Sequence, residues 1–173
     1  MVGGNLTPCR SLHPLAQFRD LLGRDPRRLD PEPGGDVIGD ACDLGQFGDR
    51  SFDLVHSNSV IEHVGRWQDQ CRMANEVRRL AQRYFVQTPN FWFPVEPHFR
   101  FPFIHWLPEP WRIKIVMQRA CGFYPRARSC DEARRILDDA RLLDFKAMVE
   151  LFPDGTIERE RFAGLTKSLI AIR

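Results

Sequence analysis

The stretch of sequence from 35 to 63 limits the possible folds of this chain more than any other. It reads GDVIGDACDLGQFGDRSFDLVHSNSVIEH. Two short apolar runs, at 36–38 and 52–55, are separated by a turn signal at 48–51. The second run leads through a polar loop to the apolar start of a helix at Val60. This order of strand, loop, strand, loop and helix is typical of an open α/β sheet.

Polar residues follow each of the two predicted strands. Asp40 and Ala41 come directly after the first run, and Ser57 and Asn58 come after the second. Ligands of open α/β sheets bind outside the carboxyl ends of the strands, so these residues are predicted to line a ligand site. Ser57 and Asn58 are equally suited to cap the following helix, and the sequence leaves both roles open.

Three pieces of the stretch carry a family resemblance. They are Gly39-Asp40-Ala41, Ser51-Phe52-Asp53-Leu54-Val55 and Ile61-Glu62-His63-Val64. In combination they resemble the middle of a class I S-adenosylmethionine-dependent methyltransferase, of the small-molecule type that includes the quinone-biosynthesis O-methyltransferases. The resemblance is good from about 35 to 90. It implies a Rossmann-like α/β sheet, mostly parallel, and methyl transfer from S-adenosylmethionine to a small, apolar or aromatic acceptor.

The resemblance also implies roles for individual residues. Asp40, with the backbone of Ala41 beside it, would accept a hydrogen bond from the adenine amino group of the cofactor. Ser57 and Asn58 would lie near its methionine part. Asp30, after Leu29, is the candidate for the ribose hydroxyls, with Asp25 as a second choice; Asp30, Asp25 and Asp40 can each be read as ordinary loop or turn charges instead.

The N-terminus departs from the family pattern. Gly3 and Gly4 are the only candidates for the cofactor's glycine loop, and almost no first strand precedes them. The first strand is therefore predicted to be short or missing, as in an N-terminally truncated member of the family, and the chain is expected to bind S-adenosylmethionine poorly. The alternative is a non-catalytic remnant that acts as a binding or interaction module. A disordered N-terminal segment is a third interpretation.

The rest of the chain continues the α/β pattern. A crossover helix is predicted over 66–82, a buried strand at 84–86, and helices starting near Ser129 and Asp144. Two final strands, 156–162 and 167–172, would form an antiparallel hairpin at the end of the sheet. The methyltransferase fold has such a hairpin, whereas a dehydrogenase Rossmann fold lacks it.

The segment 91–128 is interpreted as a substrate-side insertion. It is rich in aromatic residues, and its prolines argue against regular structure in the first half, with a short helix expected over 112–121. Trp92, Phe93 and Trp106 are the predicted acceptor-binding residues. The same aromatics can be read as packing on the core, and their mixture with basic residues also suits peripheral membrane contact.

Three histidines are candidates for a catalytic base, since histidine titrates near neutral pH. They are His63, His98 and His105. Glu62 and His63 are adjacent and would point to different faces of a helix, so no metal site is predicted.

Length and composition indicate the number of domains and argue against several other classes of protein. The 173 residues suit a single domain, and a net charge of +2 gives no support for nucleic-acid binding. No apolar run approaches the roughly 20 residues of a membrane span. The five cysteines are scattered, and no secretory signal is visible, which favours a cytoplasmic location. The oligomeric state is left open.

Overall fold

A mixed four-stranded sheet is the centre of this computed structural model, which describes residues 39–173. Its strands are β1 (Phe52–Asn58), β2 (Ala81–Pro89), β5 (Thr156–Phe162) and β6 (Leu165–Ile172), and their order across the sheet is β1-β2-β6-β5. β1 and β2 are parallel, and the other two pairs are antiparallel. The predicted α/β class and the closing antiparallel hairpin are confirmed.

Several predicted features lie outside the described residues. They are the glycine loop at Gly3 and Gly4, the loop acid Asp30 and the short strand at 36–38. They stay predictions.

Helix α1 (Trp67–Leu80) makes the parallel crossover from β1 to β2. Its buried residues recur at helical spacing, at Met73, Ala74, Val77 and Leu80, so one apolar stripe faces the sheet. Helix α4 (Phe145–Leu151) contacts α1, β5 and β6, and adds Met148 and Leu151 to the same core.

Two helices begin where the sequence predicts their caps. The Ser129 side chain accepts a hydrogen bond from Glu132 N at the start of α3 (Cys130–Asp138). The Asp144 side chain accepts one from Ala147 N at the start of α4. Both bonds satisfy backbone donors that a helix N-terminus leaves without an internal partner.

The segment 91–128 contains more regular structure than predicted. Its first half includes two short paired strands, β3 (Val95–Glu96) and β4 (Phe101–Pro102), so the expectation that prolines exclude regular structure there is wrong. Pro102 takes part because it lies at the end of a strand of two residues, where a missing N–H is tolerated.

Helix α2 (Glu109–Gln118) starts three residues earlier than predicted. Pro110 falls within its first turn, where the helix has no internal partner for the backbone N–H. The segment then packs with α3 around a second apolar cluster. Its buried members are Phe99, Ile104, Val116, Cys121, Ala127, Ala133 and Leu137.

Within residues 39–173, no helix is both long and apolar enough to cross a membrane.

Candidate functional site

The carboxyl end of β1 places Ser57 and Asn58 at the predicted ligand edge. Ser57 is buried, and its Oγ has no hydrogen-bond partner among the described residues. Asn58 is exposed, and its Oδ1 accepts a hydrogen bond from Ser59 Oγ at 3.2 Å. Neither caps a helix: the strand is followed by a 3₁₀ turn, Ile61–His63, that has no side-chain cap, so the capping interpretation is wrong.

Asp40 lies in a tight turn and is exposed. Its Oδ1 accepts a hydrogen bond from Cys42 N at 2.9 Å, and its carbonyl accepts one from Asp43 N at 2.9 Å. Ala41 beside it is buried. The turn role of Asp40 is thus present in the structure, and its side chain is exposed.

Arg79 fastens the chain after this turn to α1. Its guanidinium donates to the carbonyl oxygens of Phe47 and Leu44, and it pairs with Asp49 and Glu76. Glu76 also accepts a hydrogen bond from Leu44 N at 2.9 Å. This network couples the position of the loop 44–49, which follows Asp40, to the crossover helix.

A buried carboxyl group lies just beyond β1, at Glu62. Its Oε2 accepts a hydrogen bond from Thr88 Oγ1 at 2.9 Å, whereas Oε1 is buried with no hydrogen-bond partner among the described residues. Burial raises the pKa of Glu62, since the charged form is poorly solvated there.

His98 and His63 lie next to this carboxyl group. Their rings meet edge to face, with centroids 4.6 Å apart. His98 Nδ1 lies 2.6 Å from Glu96 Oε1, and His63 Nδ1 lies 2.9 Å from the carbonyl oxygen of Asp139. Burial opposes a charge on His98, but the hydrogen bond to Glu96 and its charge outweigh burial and raise the pKa of His98.

These three side chains are also close enough for one divalent cation to contact them all. One ligand atom from each of Glu62, His63 and His98 lies within 4.8 Å of the others. The sequence predicts no metal site because an α-helix would point Glu62 and His63 to different faces. The structure has a 3₁₀ turn there, and it brings in His98 from a distant part of the chain.

The backbone of 122–123 supports His98 closely. Phe123 N donates to the carbonyl oxygen of His98 at 3.0 Å. Gly122 has φ +56°, and a Cβ at this position would lie 2.0 Å from that same oxygen. Only glycine fits here without moving the chain that carries His98.

The third predicted base, His105, lies among the aromatic side chains of the insertion. Its Nε2 lies 2.8 Å from the carbonyl oxygen of Phe91, which also accepts a hydrogen bond from Trp106 Nε1 at 3.0 Å. Burial lowers the pKa of His105. Trp92 is 62% exposed and Trp106 40% exposed, so both lie on the outside of this aromatic group.

A cavity of about 290 Å³ opens between this insertion and the segment 137–142. Its apolar lining comes from Phe91, Phe99, Ile104, Leu137 and Leu142. Phe91 follows the carboxyl end of β2 by two residues, and Arg141 N donates to the carbonyl oxygen of Glu62 at 2.7 Å. The cavity therefore lies next to the carboxyl ends of both parallel strands.

Of the predicted site residues between 39 and 173, only His105 lines this cavity; Trp92, Phe93 and Trp106 do not. The charged lining residues are Glu96, Arg112, Asp138 and Arg141. The sequence analysis missed all four. The one signal for Arg112 was its place in a segment where bases outnumber acids.

Comparison with known proteins finds a family match over part of the chain. Residues 16–83 match a family described as a methyltransferase domain. The match covers about two fifths of the chain, and it agrees with the resemblance of the sequence motifs to class I S-adenosylmethionine-dependent methyltransferases.

Individual relatives are more distant. An uncharacterized protein found in two strains of Mycobacterium tuberculosis is 35% identical over 54 residues, which is 31% of this chain and 18% of the relative. The chain thus spans about a fifth of the length of the curated relatives it matches.

Two solved structures are similar to parts of the chain. One is a SAM-dependent methyltransferase from Methanosarcina mazei, with 14% identity, a TM-score of 0.43, and coverage of 83% of this chain and 70% of that one. The other, described as a proposed Zn-dependent alcohol dehydrogenase from Rhodobacter sphaeroides, has 11% identity, a TM-score of 0.46, and coverage of 79% and 63%. Likeness at this level carries no argument about the function of this chain.

Proposed function

We propose that this protein transfers a methyl group from S-adenosylmethionine to a small acceptor with an apolar or aromatic body. The observation that carries the proposal is the methyltransferase-domain match over residues 16–83. The cavity beside the ends of β1 and β2 supports it, since ligands of open α/β sheets bind at that edge.

The cofactor would occupy the turn at Asp40 and the end of β1. Asp40 and the backbone of Ala41 would contact its adenine, and Ser57 and Asn58 its methionine part. The buried Ser57 Oγ, which has no partner among the described residues, is a polar group that a ligand would satisfy. Gly3, Gly4 and Asp30 complete the proposed cofactor contacts, from outside the described residues.

When bound, the cofactor supplies an electrophilic methyl group on a sulfonium. The chain's own task is then to hold the acceptor in line with that group and to exclude water. Such positioning can lower the activation free energy by ~7–11 kcal/mol. The cavity between the insertion 91–128 and the segment 137–142 suits this task, because Phe91, Phe99 and Ile104 give it an apolar surface beside its polar groups.

We assign the proton-accepting role to His105. Its Nε2 must carry a proton to bond the carbonyl oxygen of Phe91, which leaves Nδ1 as the unprotonated nitrogen of the neutral ring. Nδ1 is buried, and the backbone of Phe93, like that of Phe91, also interacts with the ring. Burial lowers the pKa of His105, so the ring is neutral at pH 7 and can take a proton from an acceptor hydroxyl. His98, held by Glu96, and His63 are the second and third candidates.

The experiment is to measure formation of S-adenosylhomocysteine by the 173-residue chain with a panel of small phenols and alcohols. His105→Gln is expected to lower the rate by about 10²-fold or more, the usual contribution of a positioned base. It should also remove the rise of the rate with pH. His56→Gln is the matched control, because His56 stacks on Phe85 in the sheet and does not line the cavity. An equal loss in both variants, or turnover that His105→Gln leaves unchanged, would remove His105 from the reaction.

A further inference from the structure

Two carboxylates and two guanidinium groups line the cavity, but Arg112 pairs with neither carboxylate. Asp138 pairs with Arg141 at 2.8 Å, and Glu96 accepts hydrogen bonds from His98 and from Phe99 N, both at 2.6 Å. The side chain of Arg112 has neither a carboxylate nor a hydrogen-bond partner among the described residues. The cavity therefore contains one cation that the described part of the chain does not neutralise.

The guanidinium of Arg112 is partly removed from water as well. The side chain is half-buried, and its Nε is fully buried without a partner. A buried donor that bonds neither protein nor water is costly, and a structure generally supplies such a group with an acceptor. Because Nε itself is covered, the donors left for a ligand are those of the two Nη groups, which form a planar fork that matches the two oxygens of a carboxylate.

From this geometry we infer that the cavity binds a small carboxylic acid whose anionic group pairs with Arg112. Naming this acid as the methyl acceptor rests on the function proposed above; the binding itself does not. The cavity volume of about 290 Å³ lies at the lower end of the range for small-molecule pockets, so a body of about one ring fits.

The neighbouring residues agree with such a ligand. Phe91, Phe99 and Ile104 offer an apolar surface for its body. His105 and Arg112 both line the cavity and interact electrostatically, so a carboxylate on Arg112 lies near the proposed base. A neutral ligand of the same shape would leave the guanidinium without its partner, which is how a site built around one charged group discriminates.

The test is a titration followed by ligand-observed NMR and calorimetry, with benzoate and cinnamate as the acids and benzamide and cinnamamide as their neutral counterparts. The acids are expected to bind the wild-type chain at least about 10-fold more tightly than the amides, since a bidentate charge-assisted pair is worth more than a neutral hydrogen bond. Arg112→Gln should remove that preference. Arg112→Lys should keep part of it, because lysine retains the charge without the fork.

Arg126→Gln is the matched control. Arg126 is exposed and does not line the cavity, so this change removes the same charge from the chain without touching the site. Circular dichroism and melting temperature verify that each variant is folded. Equal binding of acids and amides, no binding of either acid by the folded wild type, or an acid preference that survives in Arg112→Gln would each overturn the proposal.

A parallel titration with S-adenosylmethionine separates the two claims. If the acids bind through Arg112 but the cofactor does not bind, the carboxylate site stands and the proposed methyl transfer fails. If the cofactor binds and the acids do not, the proposed function stands and the carboxylate site fails.

Discussion

Thr88 Oγ1 donates a hydrogen bond to Glu62 Oε2 at 2.9 Å, and both residues are buried. Thr88 lies near the end of β2, and Glu62 lies in the turn after β1. The bond therefore ties together the carboxyl ends of the two parallel strands, beside the cavity and the predicted cofactor edge.

Thr88→Val should destabilise the protein by about 1–3 kcal/mol, because it takes the donor from a buried carboxyl group. Chemical denaturation at pH 7 measures this. Thr166→Val is the control: Thr166 lies in β6 and is half-exposed, so its free energy of unfolding should change by no more than about 0.5 kcal/mol. Equal changes in the two variants would show that the Thr88–Glu62 bond contributes nothing to stability.

Glu76 gives the fold a defined dependence on pH. The hydrogen bond from Arg79 holds the pKa of Glu76 below its ordinary value of 4.5. A carboxyl group with a lowered folded-state pKa contributes stability above its unfolded pKa, and this contribution is lost as the pH falls through the folded pKa. Glu76→Gln should therefore cost about 1–2 kcal/mol at pH 7, and the difference from wild type should shrink below pH 4.5.

Unfolding curves at several pH values check the prediction for Glu76. Glu158→Gln is the control, since Glu158 is exposed on the edge strand β5. A cost of Glu76→Gln that stays constant down to the acid side of the folded pKa would contradict the assigned role of the Arg79 bond.

Gly122, which packs against the His98 carbonyl, should tolerate substitution less well than another glycine of positive φ. Gly122→Ala should lower the free energy of unfolding by about 2 kcal/mol more than Gly164→Ala does, because the new methyl group would clash with buried backbone. Both glycines have positive φ, at +56° and +82°, but a Cβ at Gly164 would meet nothing within 4 Å. The pair thus separates the steric clash with the His98 carbonyl from the cost of the backbone conformation. Thermal melting curves that are the same for both variants would contradict this contact.

The sheet could be predicted further than the site. The apolar runs at 52–55 and 84–86 lie in β1 and β2. The hairpin β5–β6 lies where the two final strands are predicted, although β6 begins two residues earlier, at Leu165. Ser129 and Asp144 marked two helix starts correctly, because capping depends on residues only three apart.

The side-chain cluster was not predictable in the same way. Glu62 meets Thr88 across 26 positions, and His63 meets Asp139 across 76. Such contacts follow from strand order and loop paths rather than from local spacing. Nothing in the local sequence distinguishes Arg112 from other basic residues; only the folded chain shows that it lines the cavity.

The most direct test of the whole account is calorimetric titration of the 173-residue chain with S-adenosylmethionine, beside Asp40→Ala and the control Asp43→Ala from the same turn. The wild type is predicted to bind weakly but saturably, in line with its short or missing first strand. Asp40→Ala should weaken this binding by about 1–3 kcal/mol, the scale of a lost hydrogen bond, and Asp43→Ala should leave it unchanged. A folded wild-type chain that shows no saturable binding of S-adenosylmethionine, or that binds a nicotinamide dinucleotide instead, would contradict it.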